Sequence, residues 1–332
     1  MKIAIFGAGS IGAYVGGSLI ASGADVILIG RARMRERLAR LGLILTDLHG
    51  HRSELTGAQI AYAEDPAALD SADLILVTVK SADTAAAGQL IRDHAKPTAM
   101  VISLQNGIGN ADTLREFLPD STVLAGMVPF NVVQLPDGRL HRGTEGEMVV
   151  EASPALEVWQ KTFAAAHLPL VMHADFAAVQ WGKLLLNLNN PVNALSDLPL
   201  KTELSQRAYR RSLTLLIEEA LQVLRAAGIQ PAKVGRVGPR MLPSLLRLPD
   251  LLFRRVAAAM LRMDPEARSS MWEDLQAGRR TEVDYLNGAV VKLAESCGRD
   301  APVNRRMIAL IRTAEAGPHK AFGGDALLRA LQ

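Results

Sequence analysis

The sequence predicts an α/β fold: an open parallel sheet covered by helices, followed by an all-helical second domain. Three observations carry that prediction. The chain begins with an apolar, strand-like run that empties into spaced glycines. Similar runs recur up to about residue 173, and beyond it only long helical periodicities remain. At 332 residues the chain is long for one core, which agrees with two domains, read as 1–173 and 174–332.

The first dozen residues are M-K-I-A-I-F-G-A-G-S-I-G. Ile3, Ala4, Ile5 and Phe6 suit a strand buried on both faces of a parallel sheet. Gly7, Gly9 and Gly12 then form G-x-G-x-x-G, and Ala13 to Ala21 reads as a helix. In a Rossmann-type fold the first glycine permits the tight turn and the second lets a pyrophosphate approach the backbone. The third allows close packing of helix on strand, and the helix N-terminus attracts the phosphates. Because this fingerprint leaves a strand and opens a helix, its context supports dinucleotide binding. Gly7, Ala8, Gly9, Ser10, Ile11 and Gly12 are therefore candidate cofactor-binding residues.

Composition narrows the function classes. Hydrophobic residues make up 49% and charged residues 21%, which excludes wholesale disorder. The net charge of +3 is small, and the basic stretches at 31–40 and 236–255 alternate with leucines rather than aromatics. No nucleic-acid signature results. The single cysteine, Cys297, excludes an intramolecular disulfide and fits a reducing compartment; its place near the end of an apolar helical pattern suggests buried packing. The N-terminal glycines are committed to the turn, so no signal peptide is expected, and no apolar run reaches membrane-spanning length. The expectation is a cytoplasmic protein with no membrane partner.

Asp25 to Gly30 reads as the second strand. NAD-binding versions of this fold commonly place an acid at its end, whereas an arginine accommodates a 2′-phosphate. Here Arg31 follows, then Arg33 and Arg35, with no acid before Glu36. This favours NADP(H) over a merely solvated basic helix start. Leu43 to Leu48 and Ala58 to Tyr62 read as short strands around a polar loop, in which His49 and His51 mark a solvated turn. Asp73 to Lys80 is another buried strand; Lys80, at its carboxyl end, either meets a ligand or stays a surface lysine. Ala99 to Leu104 empties into Gln105-Asn106-Gly107-Ile108-Gly109, a loop able to hold a ligand or simply to turn. Thr122 to Gly126 continues the sheet. Asn131 to Val133, Arg139 to Arg142 and Met148 to Glu151, separated by signals such as Pro136-Asp137-Gly138, suggest antiparallel additions. Pro154 to His167 reads as a helix and Leu170 to Met172 as an edge strand.

In the second domain, Phe176 to Asn189 reads as one long helix containing W-G-K-L-L-L-N. Lys183 and Asn187, four apart, share a face flanked by leucines. A lysine held against apolar neighbours is a candidate for a lowered pKa and for proton transfer, although most helix lysines are solvated. Arg211 to Ala227 is an amphipathic helix stopped by Gly228. Prolines at 231, 239, 243, 249 and 265 frame a section of short apolar helices. Ser270-x-x-Glu273 and Thr281-x-x-Asp284 have the form of capping boxes, making Ser270 a cap and Glu282 a first-turn acid. The stripe from Leu286 to Cys297 is a helix ended by Gly298.

Several of these stretches coincide with one family. The chain resembles ketopantoate reductases (2-dehydropantoate 2-reductases), two-domain oxidoreductases of the 6-phosphogluconate-dehydrogenase-like group. The resemblance rests on G-A-G-S-I-G at 7–12, Arg31, V-T-V-K ending at Lys80 and Q-N-G-I-G around Asn106. It continues with W-G-K-L-L-L-N at 181–187, S-S-M at 269–271 and R-R-T-E-V-D-Y-L-N-G at 279–288. It covers nearly the whole chain. It implies an NADP(H)-dependent reductase of a small 2-keto acid, with Lys183 as the general acid. It further implies that Asn106 and Lys80 lie beside the nicotinamide and substrate, that Asn187 and Ser270 touch substrate, and that Glu282 is the carboxylate at the cofactor and active-site end of the second domain. Reducing a 2-keto acid needs a proton donor at the developing alkoxide, polar groups for the carboxylate, and a dry cleft.

The chain departs from the family pattern after the lysine helix. Pro191 and Lys201 stand where two further substrate asparagines are expected, with Asn190 and Asn193 nearby. The leading expectation is reduction of 2-dehydropantoate to (R)-pantoate. A different 2-keto or 3-keto acid is the alternative, followed by a non-catalytic NADP(H) sensor, against which intact Lys183, Asn106 and Glu282 argue. The apolar helices of the second domain pack internally or against a second copy, leaving a homodimer open.

Overall fold

A computed structural model describes residues 1–135, 137–235, 237–258, 266–317 and 320–332. Contacts divide the chain into two units, Met1–Phe176 and Ala177–Gln332.

Among its described residues the first unit carries twelve strands: β1 (Lys2–Phe6), β2 (Asp25–Ile29), β3 (Leu43–Asp47), β4 (Arg52–Leu55), β5 (Ala61–Ala63), β6 (Leu74–Val77), β7 (Met100–Ser103), β8 (Val123–Met127), β9 (Val132–Gln134), β10 (Leu140–Arg142), β11 (Met148–Glu151) and β12 (Leu170–His173). Its helices are α1 (Ser10–Ala21), α2 (Ala32–Leu41), α3 (Thr84–His94), α4 (Asn110–Phe117) and α5 (Glu157–Ala165). The main sheet has the order β12-β11-β8-β7-β6-β1-β2-β5, and β5 through β8 run parallel in it. The order reverses at β1, between β2 and β6, so their carboxyl ends open at a topological switch point. β1 is apolar throughout because both its faces are covered. Ile3 and Ile5 join the core under α1, whereas Ala4 and Phe6 join the core on the opposite face with Leu69 and Ile91.

Three sequence expectations are corrected here. Arg52–Leu55, read as polar loop, is a strand antiparallel to β3; only its Leu55 is buried, so the alternation was too weak to read. Ala58 lies in a 3₁₀ turn closed by a Thr56–Gln59 capping box, and the following strand begins only at Ala61. The segments after β8 do not all extend the main sheet. β9 and β10 join β3 and β4 in a second, four-stranded sheet, where β10 runs parallel to β3, and only β11 adds antiparallel to β8. Pro136 and Pro265, each part of a sequence signal, lie outside the described residues.

The second unit is helical: α6 (Phe176–Asn187), α7 (Asn189–Ser196), α8 (Leu200–Leu204), α9 (Arg207–Ala226), α10 (Leu242–Leu246), α11 (Asp250–Val256), α12 (Ser270–Gln276), α13 (Val283–Ser296), α14 (Pro302–Ala316) and α15 (Gly324–Leu331). The single helix expected over 176–189 is two helices. Pro191 lacks the N–H that would bond back into α6, and its ring opposes the carbonyl four residues earlier. A restart at Asn189 puts it in a first turn, where no such bond is needed. Inside the unit, Arg210 is fully buried. Its guanidinium donates to the carbonyls of Leu204, Leu246 and Leu248 at 2.7–3.0 Å and pairs with Asp250. Cys297 sits half-buried as the C-cap of α13, rather than within its apolar stripe.

Candidate active site

In the first unit the glycines divide the work of the turn. Gly7 has a φ of +115°, and the N–H groups of Gly7 and Ala8 both donate to Ile29 O at 3.0 Å, tying the turn to the end of β2. A Cβ at Gly12 would be driven against Gly7 O and, at 2.5 Å, Thr78 Oγ1, so α1 packs on β1 and β6 only with glycine there. Thr78, which the sequence reading passed over, donates from Oγ1 to Gly7 O at 2.7 Å and holds the turn from β6. At Gly9 the space is open: nothing lies within 4 Å of a built Cβ. Ser10 is exposed and Ile11 half-exposed, and among the described residues no side chain caps this first turn. Closed at Gly7 and Gly12, open at Gly9, and lined by uncapped N–H groups, the cradle fits a pyrophosphate.

Arg31 is the N-cap residue of α2, two residues beyond the end of β2, with its side chain 92% exposed and a guanidinium nitrogen 3.8 Å from Asp83. Lys80 precedes the short 3₁₀ turn Ser81–Asp83 at the end of β6 and is exposed. Asn106 follows β7 and is anchored through its carbonyl, which accepts from Ser81 Oγ at 2.8 Å and from Asn110 Nδ2 at 2.7 Å. Gly107 and Gly109, both in the left-handed region, turn the chain around it. Beneath lies a buried chain of polar side chains. Ser103 Oγ donates to Gln105 Oε1 and Gln105 Nε2 to Thr84 Oγ1, which lies 2.9 Å from Asn110 Oδ1. Of these, only Gln105 was quoted as part of a motif. Ser81, Thr84 and Asn110 look like ordinary helix-start residues in the sequence, and only the fold brings them under one loop.

In the second unit, Lys183 is on α6 among Trp181, Leu184 and Leu185, all 5% exposed or less. The residue before it is fixed by a crossing. Ala232 N–H donates to Ala178 O at 2.8 Å, and a Cβ at Gly182 would run into Ala232 O. The start of the proline-rich section is thus pressed on the lysine helix, which requires the glycine of W-G-K. Burial pushes the Lys183 ammonium down to about 8, while the Glu282 carboxylate works against that shift by raising it. Glu282 is the N-cap residue of α13 rather than a first-turn acid, and its carbonyl accepts from Tyr285 and Leu286. Asn187 is half-buried, one turn after Lys183.

Both expected capping boxes are corrected. The cap of α12 is Ser269, whose Oγ accepts from Trp272 N at 3.2 Å. Ser270 is one residue later, the first of the helix, and exposed. Two adjacent serines make the register ambiguous from sequence, and the buried contacts of Ser269 decide it. At the second box, Thr281 N–H donates to Glu315 on α14, not to Asp284. Asp284 instead pairs with Arg312. Asn193, close in sequence to the positions where the family pattern expects substrate asparagines, is fully buried, with Oδ1 accepting from Ser269 N at 2.9 Å and Nδ2 donating to Leu198 O at 2.9 Å. Asn190 is half-buried, and its carbonyl accepts from Ser269 Oγ at 3.2 Å. Among the described residues no cluster of His, Cys, Asp or Glu could hold a metal ion, and no helix is long and apolar enough to cross a membrane.

Residues 3–155 match the family model Ketopantoate reductase PanE/ApbA, and residues 175–315 match Ketopantoate reductase PanE/ApbA C terminal. The chain belongs to the ketopantoate reductase family. It is 30% identical over 326 residues to the 2-dehydropantoate 2-reductase of Halobacterium salinarum, covering 95% of this chain and 99% of that protein. A crystal structure of a PanE/ApbA family ketopantoate reductase from Ralstonia eutropha is 32% identical, with a TM-score of 0.80 over 95% of this chain and 99% of the other. D-mandelate dehydrogenase, solved with NADH and anilino(oxo)acetate, shares the fold with a TM-score of 0.76 at 22% identity, over 95% of this chain and 99% of that one. Membership makes this chain an oxidoreductase acting on CH–OH groups, of the 2-dehydropantoate 2-reductase type.

Proposed function

We propose that this chain uses NADPH to reduce 2-dehydropantoate to (R)-pantoate, the reductive step of pantothenate biosynthesis, with residues 1–173 holding the cofactor and 174–332 the acid. The observation that carries the reading is Lys183, a half-buried lysine whose ammonium is lowered to about 8 by desolvation and steadied by Glu282. Such a group is charged at neutral pH yet releases its proton readily, the balance a general acid needs. The bound cofactor supplies the hydride that adds to the carbonyl carbon. Lys183 Nζ gives its proton to the carbonyl oxygen as negative charge develops there, and its positive charge stabilises that oxygen beforehand. Asn187 and Ser270 hold the substrate's polar groups, Ser270 near the carboxylate. Asn106 and Lys80 border the nicotinamide and substrate, and Glu282 sustains the charge on Lys183.

The open cradle at Gly9 supports a dinucleotide, and Arg31 just beyond the end of β2, with no acid before Glu36 in the sequence, supports the 2′-phosphate form. Pro191 and Lys201, where the family pattern expects asparagines, favour a second reading in which the same chemistry serves another 2-keto or 3-keto acid. Following NADPH oxidation with a panel of keto acids separates the two. Turnover of 2-dehydropantoate at the highest kcat/KM supports the first reading. Preference for another acid supports the second, and no turnover of any removes both.

A further inference from the structure

Glu203 on α8 and Asn189 on α7 are buried side chains that share one hydrogen bond and each keep one acceptor without a partner. Asn189 Nδ2 donates to Glu203 Oε2 at 3.0 Å, and Asn193 Nδ2 reaches the same oxygen at 3.4 Å. Glu203 Oε1 and Asn189 Oδ1 are both buried and unbonded. Two orphan acceptors on a carboxyl and an amide already joined through their other atoms are the pattern of a pair that shares a proton. A carboxylate can only accept, whereas a carboxylic acid has one O–H to donate. A proton on Oε1 would donate to Asn189 Oδ1, closing a cyclic acid–amide pair and satisfying both atoms.

The groups around Glu203 suit a neutral acid. Glu203 is fully buried, and among the described residues no cation is paired with it. Burial pushes its carboxyl up to about 8, against the lowering effect of the two asparagine donors. α7 brings no ionisable side chain. From α9, Tyr209 is the ionisable group that interacts with it, and the neighbouring Arg210 is committed to three carbonyls and Asp250. On the segment leading into α12, Arg268 is paired with Asp197.

The pair also has a mechanical connection. Asn193, held by Leu198 O and Glu203 on one side, accepts the Ser269 N–H on the other. Ser269 in turn caps Trp272, whose indole Nε1 donates to Asp197 at 2.7 Å. We propose that Glu203 is held as the neutral acid in a cyclic pair with the Asn189 amide, and that this pair, through Asn193, positions the Ser269–Ser270 start of α12 for the carboxylate of the substrate. The substrate part rests on the function proposed above; the acid–amide pair does not. Glu203 is a positioning residue and touches no reacting atom.

The test compares the full-length wild type with Glu203→Gln, whose amide supplies both a donor and an acceptor without a proton to lose, and with Glu203→Leu, which supplies neither. Infrared difference spectra at neutral pH should show a protonated-carboxyl C=O band in the wild type that is absent from Glu203→Gln and fades as the pH passes about 8. Over the same range the Trp272 indole N–H resonance, assigned with Trp272→Phe, should shift in the wild type and stay still in Glu203→Gln. The KM for the keto acid should rise more steeply with pH in the wild type than in Glu203→Gln, because the Lys183 titration is common to both. At neutral pH Glu203→Gln should keep a near-wild-type KM, whereas Glu203→Leu should raise it by about tenfold, the loss of roughly one buried hydrogen-bonded group. A missing carboxyl band overturns the proposal, as does a Trp272 resonance that titrates alike in wild type and Glu203→Gln. If band and resonance behave as expected but no keto acid is turned over, the acid–amide pair stands and the substrate reading falls.

Discussion

The carboxylate of Glu282, at the start of α13, raises the ammonium of Lys183, on α6, against a burial that lowers it to about 8. Two residues far apart in sequence thus set one acid strength. Burial makes the proton easy to release, and the carboxylate keeps it in place at neutral pH.

Removing the lysine should therefore cost chemistry rather than cofactor binding. Lys183→Ala should lower kcat by about 10²–10⁴-fold, the usual range for a lost general acid, and leave the NADPH Kd within about twofold. Lys183→Arg should not rescue it, because a guanidinium does not release its proton. In the wild type kcat should fall as the pH rises past about 8, since the acid must be protonated to act. In Glu282→Gln burial acts unopposed, so that limb should move to lower pH. The kcat–pH profiles of the wild type and Glu282→Gln check the sign.

The glycine turn allows fold and binding to be separated. Gly12→Ala should destabilise the protein by about 1–3 kcal/mol, because its Cβ has to displace Gly7 O and Thr78 Oγ1. Gly9 has an ordinary extended backbone and open space, so Gly9→Ala should melt within a few degrees of wild type. The same methyl projects into the cradle and should weaken NADPH at least tenfold. Thermal melts with and without NADPH read both effects, and equal losses in the two variants would contradict the division of roles.

Arg31 should decide between cofactors. Among the described residues its exposed guanidinium has only the loose Asp83 contact to give up. Arg31→Ala should weaken NADPH by about tenfold, a loss that shrinks in high salt, and leave NADH almost untouched. Fluorescence titration with both cofactors at two ionic strengths is sufficient.

Glu203 predicts a pH dependence of stability. Its carboxyl sits near 8 in the folded chain against 4.5 ordinarily, so between those values the folded state binds more protons than the unfolded one. Its stabilisation is complete below the lower value and is lost as the pH rises towards the upper. Urea unfolding should show the wild type losing about 2–4 kcal/mol relative to Glu203→Gln across that window. Lys183 is shared by both proteins, so its own titration cancels in the difference.

Much of the fold was legible because it is written in local periods. β1 declares itself by apolar residues on both faces, the turn by glycines at fixed spacing, and α9 and α13 by their stripes. Misreadings fell where local chemistry is degenerate: a polar edge strand at Arg52–Leu55, a proline that restarts a helix at Asn189, and two serines of which the buried one caps.

The sequence by itself determined the backbone's menu: which segments are strands or helices, where a Cβ is forbidden, and which family the chain resembles. These follow from steric limits and hydrophobic spacing within a few residues. Tertiary structure alone decided that Glu282 acts on Lys183, that the Asn106 carbonyl is clamped by Ser81 and Asn110, and that Glu203 faces two asparagines. Proton affinity depends on which distant groups packing brings near and how much water it removes, and no spacing along the chain encodes that.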